Sequence, residues 1–279
     1  MKKAKGNGVD IQLAIWEGMG KEILCLHGIT ANCRCWDIIA SVLSPKYRVL
    51  AMDLRGRGRS DKPSTGYSLK HHLRDINCIM DDMGLDQAAI MGHSLGAFIA
   101  LAFGAQYPER AGHIILVDGG GKLSEEQMDR VFEGIKPSLD RLGKVFPSSD
   151  AYLEAMKQAP YIQPWSPALE TYYRYELENL DGEVSCNIRP EHIKEEAENI
   201  RKVEISTFYP KVSCNVLVLR ATEGLLSQDD ILLPEEVMER MIKEIPDARR
   251  VDVTGLNHYG IIFQPNEERD RAIQAFLGE

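Results

Sequence analysis

The sequence predicts an α/β fold built on a mostly parallel sheet that a helical insertion interrupts along the chain. Three observations carry this expectation. Short apolar strands alternate with helical patterns up to residue 118, the strand signal disappears over 119–207, and the alternation resumes over 208–279. Strands joined through helices need crossover connections, and crossovers leave neighbouring strands parallel. The expected division is a core of 1–118 with 208–279 and a helical cap of 119–207.

In order, residues 9–16 and 22–26 read as strands, 36–43 as a helix and 47–52 as a strand. Residues 69–83 form the clearest helix, with Leu69, Leu73, Ile76, Met80 and Met83 at helical spacing, Ser68 as N-cap and Gly84 as its stop. A short apolar strand follows at 87–91, then a helix rich in small residues at 95–107 and a strand at 113–117. The insertion carries helical patterns broken by Pro160, Pro164 and Pro167. It is also rich in aromatics, Phe132, Phe146, Tyr152, Tyr161, Trp165, Tyr172, Tyr173 and Tyr175 among them. Beyond it come a strand at 216–219, a helix near 234–245, a strand at 249–253 and a final helix near 267–277.

Composition narrows the function. A chain of 279 residues with 44% hydrophobic side chains can bury a substantial core, which sets disorder aside. Acidic residues outnumber basic ones by 42 to 33, and the net charge of −9 opposes binding to nucleic acid or to an anionic membrane surface. The N-terminus is charged but lacks the apolar stretch of a signal peptide, and no segment reaches membrane-spanning length. Six scattered cysteines in a chain of this size read as free thiols, and the expected compartment is the cytoplasm. Cys33 and Cys35, one residue apart, lack zinc-pair spacing and an answering Cys/His pair, so they read as structural and no metal is expected.

The chemistry gathers around Gly92-His93-Ser94-Leu95-Gly96, which lies between a predicted strand and a predicted helix. A serine hydroxyl is a poor nucleophile at neutral pH, so it needs a base, a group that orients the base, and N–H donors for the oxyanion. The glycine-flanked turn would expose the Ser94 hydroxyl, and the Leu95 N–H, opening the helix, would face the oxyanion with the helix dipole behind it. Upstream, Leu26-His27-Gly28-Ile29 ends a strand and leaves loop amides beside the turn, the Ile29 N–H being the second candidate donor. His27 itself reads as a brace for that loop. The candidate base is His258, on the loop Gly255-Leu256-Asn257-His258 after a short strand. His71 and His72 are assigned to the exposed side of their helix, His93 to the variable position of the turn, His113 to a strand start and His192 to a charged stretch.

Together with Asp53-Leu54-Arg55-Gly56-Arg57-Gly58-Arg59-Ser60, which reads as a turn and not as a phosphate-binding loop, these motifs resemble the α/β-hydrolase fold family. The likeness is to its cap-bearing esterase, dehalogenase and C–C hydrolase branch. The resemblance implies an eight-stranded sheet, a Ser94–His258 pair and no cofactor. It also implies a small to medium, apolar ester as substrate, with a lactone, a C–C bond substrate or simple binding as alternatives. Dehalogenase chemistry is disfavoured, because its nucleophile must be a carboxylate. The orienting acid departs from the usual family pattern, since Gly224 stands where the aspartate would fall. Asp118, Glu223, Asp229 and Asp230 stay open, with Asp118 favoured because it ends a strand beside Gly119-Gly120-Gly121.

Overall fold

A computed structural model describes residues 1–278. The first part of the chain forms β1 (Lys2–Lys5), β2 (Asp10–Trp16), β3 (Glu22–Leu26), α1 (Asp37–Leu43), β4 (Arg48–Met52), α2 (Leu69–Asp82), β5 (Ala88–His93), α3 (Leu95–Gln106) and β6 (Ala111–Val117). The chain then leaves the sheet for α4 (Glu125–Gly134), α5 (Lys136–Leu139), β7 (Val145–Phe146), α6 (Ser149–Lys157), α7 (Pro167–Tyr175), β8 (Leu177–Leu180), β9 (Glu183–Cys186) and α8 (Pro190–Ile200). It returns with β10 (Asn215–Ala221), α9 (Glu235–Glu244), β11 (Ala248–Val253), α10 (Gly260–Phe263) and α11 (Glu267–Leu277).

Eight strands form one sheet in the order β1-β2-β4-β3-β5-β6-β10-β11. Only the β1–β2 and β2–β4 pairs are antiparallel. Residues 23–26 of β3 and all of β5 are buried, so these strands read as continuous apolar runs, as strands covered on both faces do. Register sets the site: Leu26 of β3 lies opposite Gly92 of β5, His93 opposite Val117 of β6, and Val117 opposite Leu219 of β10. The residues that follow, His27, Ser94 and Asp118, therefore emerge side by side at the carboxyl edge of the sheet, where open α/β sheets place their ligands.

Four features depart from the expectation. Strand β1 was invisible because only Ala4 of its four residues is buried, leaving no apolar pattern. The insertion is not all helical: β7, β9 and β8 make a small antiparallel sheet. Its β8–β9 hairpin turns on Asp181-Gly182, both with positive φ (52° and 104°), the signature of a two-residue hairpin turn. Ser68 does stand at the N-cap of α2, but its Oγ pairs with His71 Nδ1 at 2.8 Å and caps no backbone amide. Finally, His72 is fully buried, not solvent-facing, because α8 covers that side of α2. All six cysteines are free thiols, and among the described residues no helix is long and apolar enough to cross a membrane.

Candidate active site

Ser94 sits in the sharp bend between β5 and α3 with φ 55° and ψ −118°, a left-handed conformation that costs energy in a residue with a Cβ. Backbone proximity dictates the glycines around it. A Cβ on Gly92 would lie 2.0 Å from Gly96 O, and one on Gly96 would lie 2.0 Å from Leu26 O. The bend is thus pressed directly against the end of β3. Leu95 takes the first position of α3, where its N–H has no carbonyl within the helix to bond.

His258 is buried, and its Nδ1 is 2.7 Å from Asp118 Oδ2. Donation from Nδ1 to the carboxylate leaves Nε2 as the free acceptor nitrogen of the ring. Asp118 also has a left-handed φ, 47°, and its Oδ1 accepts the Ala221 N–H of β10 at 3.0 Å, so one carboxylate is tied both to the sheet and to the histidine. His93 adds a brace that sequence reasoning missed. Its ring stacks on His258 with centroids 4.3 Å apart, and its Nε2 donates to the His258 carbonyl at 2.9 Å. Burial pushes the His93 pKa well below the usual imidazole range, so the ring is neutral.

The other candidate acids point elsewhere. Asp230 is buried among backbone donors, accepting from Leu225, Leu226 and Ser227 N–H groups, and so closes its own loop. Glu223 accepts from Gln228 at 2.7 Å, and Asp229 is exposed. Gly224 explains why this loop carries no acid at the customary place: a Cβ there would lie 1.6 Å from Ser227 O. No side chain fits without rebuilding the turn.

The loop after β3 is held from below. His27 Nε2 accepts the Leu54 N–H at 3.0 Å and its Nδ1 meets Gly28 O at 2.7 Å, which fits one neutral tautomer with the proton on Nδ1. Burial lowers the pKa of this ring to about 3. His27 is therefore a brace for the loop. Ile29, the next residue but one, lines the cavities beside Ser94.

Two small cavities flank Ser94. One, of about 60 Å³, is walled by apolar groups, among them Phe98, Leu123, Met128, Phe132 and Ile135. The other, of about 30 Å³, holds Ser94 together with His258, His93, Thr30, Tyr172 and Tyr259, and so carries imidazoles and hydroxyls. No lysine or arginine lines either cavity among the described residues. Of the insertion's aromatics, Phe132 and Tyr172 reach these cavities, whereas Tyr152 and Tyr173 pack within the insertion, Tyr173 stacking on Trp165 at 5.6 Å. The apolar cavity adjoins a surface groove of about 480 Å³, sharing Phe98, Leu123, Met128 and Ile200 with it.

Residues 22–265 match the sequence pattern of the α/β hydrolase fold. The chain belongs to that family. An uncharacterized protein of Mycobacterium tuberculosis is 36% identical over 104 residues, which is 37% of this α/β hydrolase and only 30% of that protein. A 2-(acetamidomethylene)succinate hydrolase of Mesorhizobium japonicum is 26% identical over 87% of this chain and 83% of its own. A 2-hydroxy-6-oxo-6-phenylhexa-2,4-dienoate hydrolase of Burkholderia cepacia is 28% identical over 83% and 79%. Among solved structures, an E-2-(acetamidomethylene)succinate hydrolase superposes with a TM-score of 0.87 at 23% identity, covering 100% of this chain and 98% of that one. The enol-lactonase of Burkholderia xenovorans gives 0.73 at 20% identity, with 100% of both chains covered. At these identities the structural matches speak for the α/β hydrolase fold.

Proposed function

We propose that the protein is a serine hydrolase that cleaves uncharged, largely apolar carboxylic esters through an acyl-enzyme, with Ser94, His258 and Asp118 as its triad. The observation that carries this reading is the 2.7 Å contact between His258 and Asp118 in a cavity that His258 and Ser94 line together. With Nδ1 committed to Asp118, His258 Nε2 takes the proton as Ser94 Oγ forms a bond to the ester carbonyl carbon. The carbonyl oxygen becomes an oxyanion facing the Ile29 and Leu95 N–H groups. Collapse of this adduct breaks the ester C–O bond, and the proton on His258 goes to the leaving alkoxide. Water then attacks the acyl-enzyme, giving its proton to His258, and the carboxylic acid departs as Ser94 regains its proton.

The lining supports the substrate class. With no lysine or arginine against either cavity among the described residues, an anionic acyl group would be desolvated without a partner. A lactone, being a cyclic ester, follows the same steps, and the likeness of fold to an enol-lactonase makes it the second reading. Hydrolysis of a C–C bond stays a further reading: a 28%-identical relative is named a 2-hydroxy-6-oxo-6-phenylhexa-2,4-dienoate hydrolase, and Lys122 and Arg201 line the groove that adjoins the apolar cavity.

The test is turnover of p-nitrophenyl acetate and butyrate together with labelling by a fluorophosphonate. Ser94→Ala should lower kcat by at least about 10⁴-fold with the fold intact by circular dichroism, and labelling should vanish. Near-normal turnover by folded Ser94→Ala would overturn the assignment.

A further inference from the structure

We infer that two glutamates of the insertion, Glu176 and Glu196, are positioning residues for the oxyanion loop. They act through two buried arginines that grip consecutive carbonyls of that loop. This inference rests on the serine hydrolase reading, because it concerns the Ile29 N–H as an oxyanion donor.

The peptide groups from Gly28 to Ala31 are each fixed at the carbonyl. Gly28 O accepts from His27 Nδ1 and, at 3.1 Å, from the Ala31 N–H. Because the peptide is planar and trans, holding this oxygen also aims the Ile29 N–H, which points the opposite way from the same rigid unit. Ile29 O accepts from Arg57 Nε at 3.0 Å. Thr30 O accepts from Arg141 Nη2 at 2.6 Å. Three successive peptide planes are thereby set by a histidine and two arginines, all buried.

Neither arginine could stay where it is alone, since a buried guanidinium needs a counter-charge. Arg141 has its counter-charge in Glu176, just after α7, in a two-pronged pair: Nε to Oε1 at 2.7 Å and Nη2 to Oε2 at 2.9 Å. The Tyr152 hydroxyl also donates to Glu176. Arg57 has Glu196 of α8, whose Oε2 lies 3.1 Å from Nη2 and 2.7 Å from His72 Nε2. His72 and the Arg57 guanidinium beside Glu196 hold its carboxyl down at about 2 in spite of burial. Below it, Arg57 Nη1 donates to Arg55 O at 2.9 Å and the guanidinium lies over the Tyr67 ring. Arg57 thus reaches from the Asp53–Ser60 turn to the oxyanion loop, and Glu196 holds it there from the insertion. Arg141 grips the same loop from the insertion itself.

The insertion therefore has a second task besides walling the cavities: when it is seated, the oxyanion loop is clamped, and when the glutamates are neutralised the clamp loosens. A small displacement of an oxyanion donor is felt mainly in the transition state, so the expected signature is a loss of kcat with KM preserved.

The experiment compares wild type with Glu196→Gln, Glu176→Gln and Arg57→Lys, the last keeping a positive charge toward Glu196 while giving up the Nε–H bond to Ile29 O. Glu195→Gln serves as control: Glu195 also links insertion to core, accepting from Gly66 and Tyr67 N–H groups at 3.0 Å, but it does not touch the oxyanion loop. The readouts are kcat and KM on p-nitrophenyl acetate and Ki for a phenyl trifluoromethyl ketone, whose hemiketal oxyanion reports on the donors. Values are normalised to the folded fraction by near-ultraviolet circular dichroism. We expect kcat to fall on the order of tenfold in each of the three variants, Ki to rise in parallel, KM to change less than about threefold, and Glu195→Gln to behave as wild type. The inference fails if folded variants keep kcat and Ki, or if Glu195→Gln loses as much. Arg57→Lys carries the test should Glu196→Gln not fold. Absence of turnover and of Ser94 labelling in the wild type would bring down the hydrolase reading itself, before any variant is compared.

Discussion

The core and the insertion build their shares of the site by different physics. At the end of β5 the backbone does the positioning: Ser94 is held in a left-handed conformation by a bend pressed against β3, with glycines where any Cβ would collide. In the insertion, long side chains do it, through the Glu176–Arg141 and Glu196–Arg57 pairs and an apolar wall that includes Met128 and Phe132. Backbone packing leaves almost no latitude, because interiors are filled to crystal density. Side-chain contacts leave more. The core should therefore fix which reaction is possible, and the insertion should adjust how well and on what.

The sharpest way to break this contrast is to add one methyl group to the bend. Gly96→Ala would put a Cβ 2.0 Å from Leu26 O, and we expect little folded protein and no activity, read by soluble yield and circular dichroism. A well-folded, active Gly96→Ala would show that the bend is more pliant than the packing implies.

Next in size is the acid. Asp118→Asn should cost about 10²- to 10⁴-fold in kcat, since the amide cannot hold the His258 tautomer as a carboxylate does. Asp230→Asn should leave kcat within about threefold and lower the thermal midpoint, because Asp230 ties three backbone amides of its own loop. The opposite ranking would move the triad acid into the 222–230 loop.

Protonation of buried histidines gives the third prediction. His27 has a folded pKa of about 3 against an ordinary 6.5, and His93 is also pushed well down. The folded state thus binds fewer protons, so the stability these rings contribute is complete above pH about 6.5 and is lost as pH falls below it, by up to about 1.4 kcal/mol per pH unit for each ring. Glu196, lowered from 4.5 to about 2, adds its own loss below pH about 4.5. Urea midpoints from pH 7 to 4 should decline steadily, and a flat profile above pH 5 would contradict the neutral-histidine braces. The smallest effect concerns the apolar wall: Phe132→Ala should raise kcat/KM for an octanoate over an acetate ester by about three- to tenfold, as a few methylenes gain room.

Much of this was legible because parallel, doubly covered strands announce themselves as apolar runs, and because glycines forced by close backbone approach mark the Ser94 turn directly in the sequence. What stayed hidden depended on long-range covering. His72 sits on a helix whose pattern suggests solvent on that side, and only α8, more than a hundred residues later, buries it. Arg57 read as part of a family turn, since nothing local signals that its guanidinium reaches the carbonyl of Ile29. The hairpin of β8 and β9 did carry a local signal in Asp181-Gly182, but β8 is half-buried to exposed and each strand is only four residues long, too short for the alternation in β9 to stand out. Strand β1, three lysines around one alanine, gave none.

The crowding at Gly224 has a consequence for how such a site can change over time. Because a side chain there would overlap Ser227 O, one substitution at Gly224 does not place a carboxylate there; the turn has to be rebuilt first. Under the proposed triad, moving the acid from Asp118 to that loop position would take this rebuilding while Asp118 is still present. Asp118 and position 224 are in this sense more than one mutational step apart.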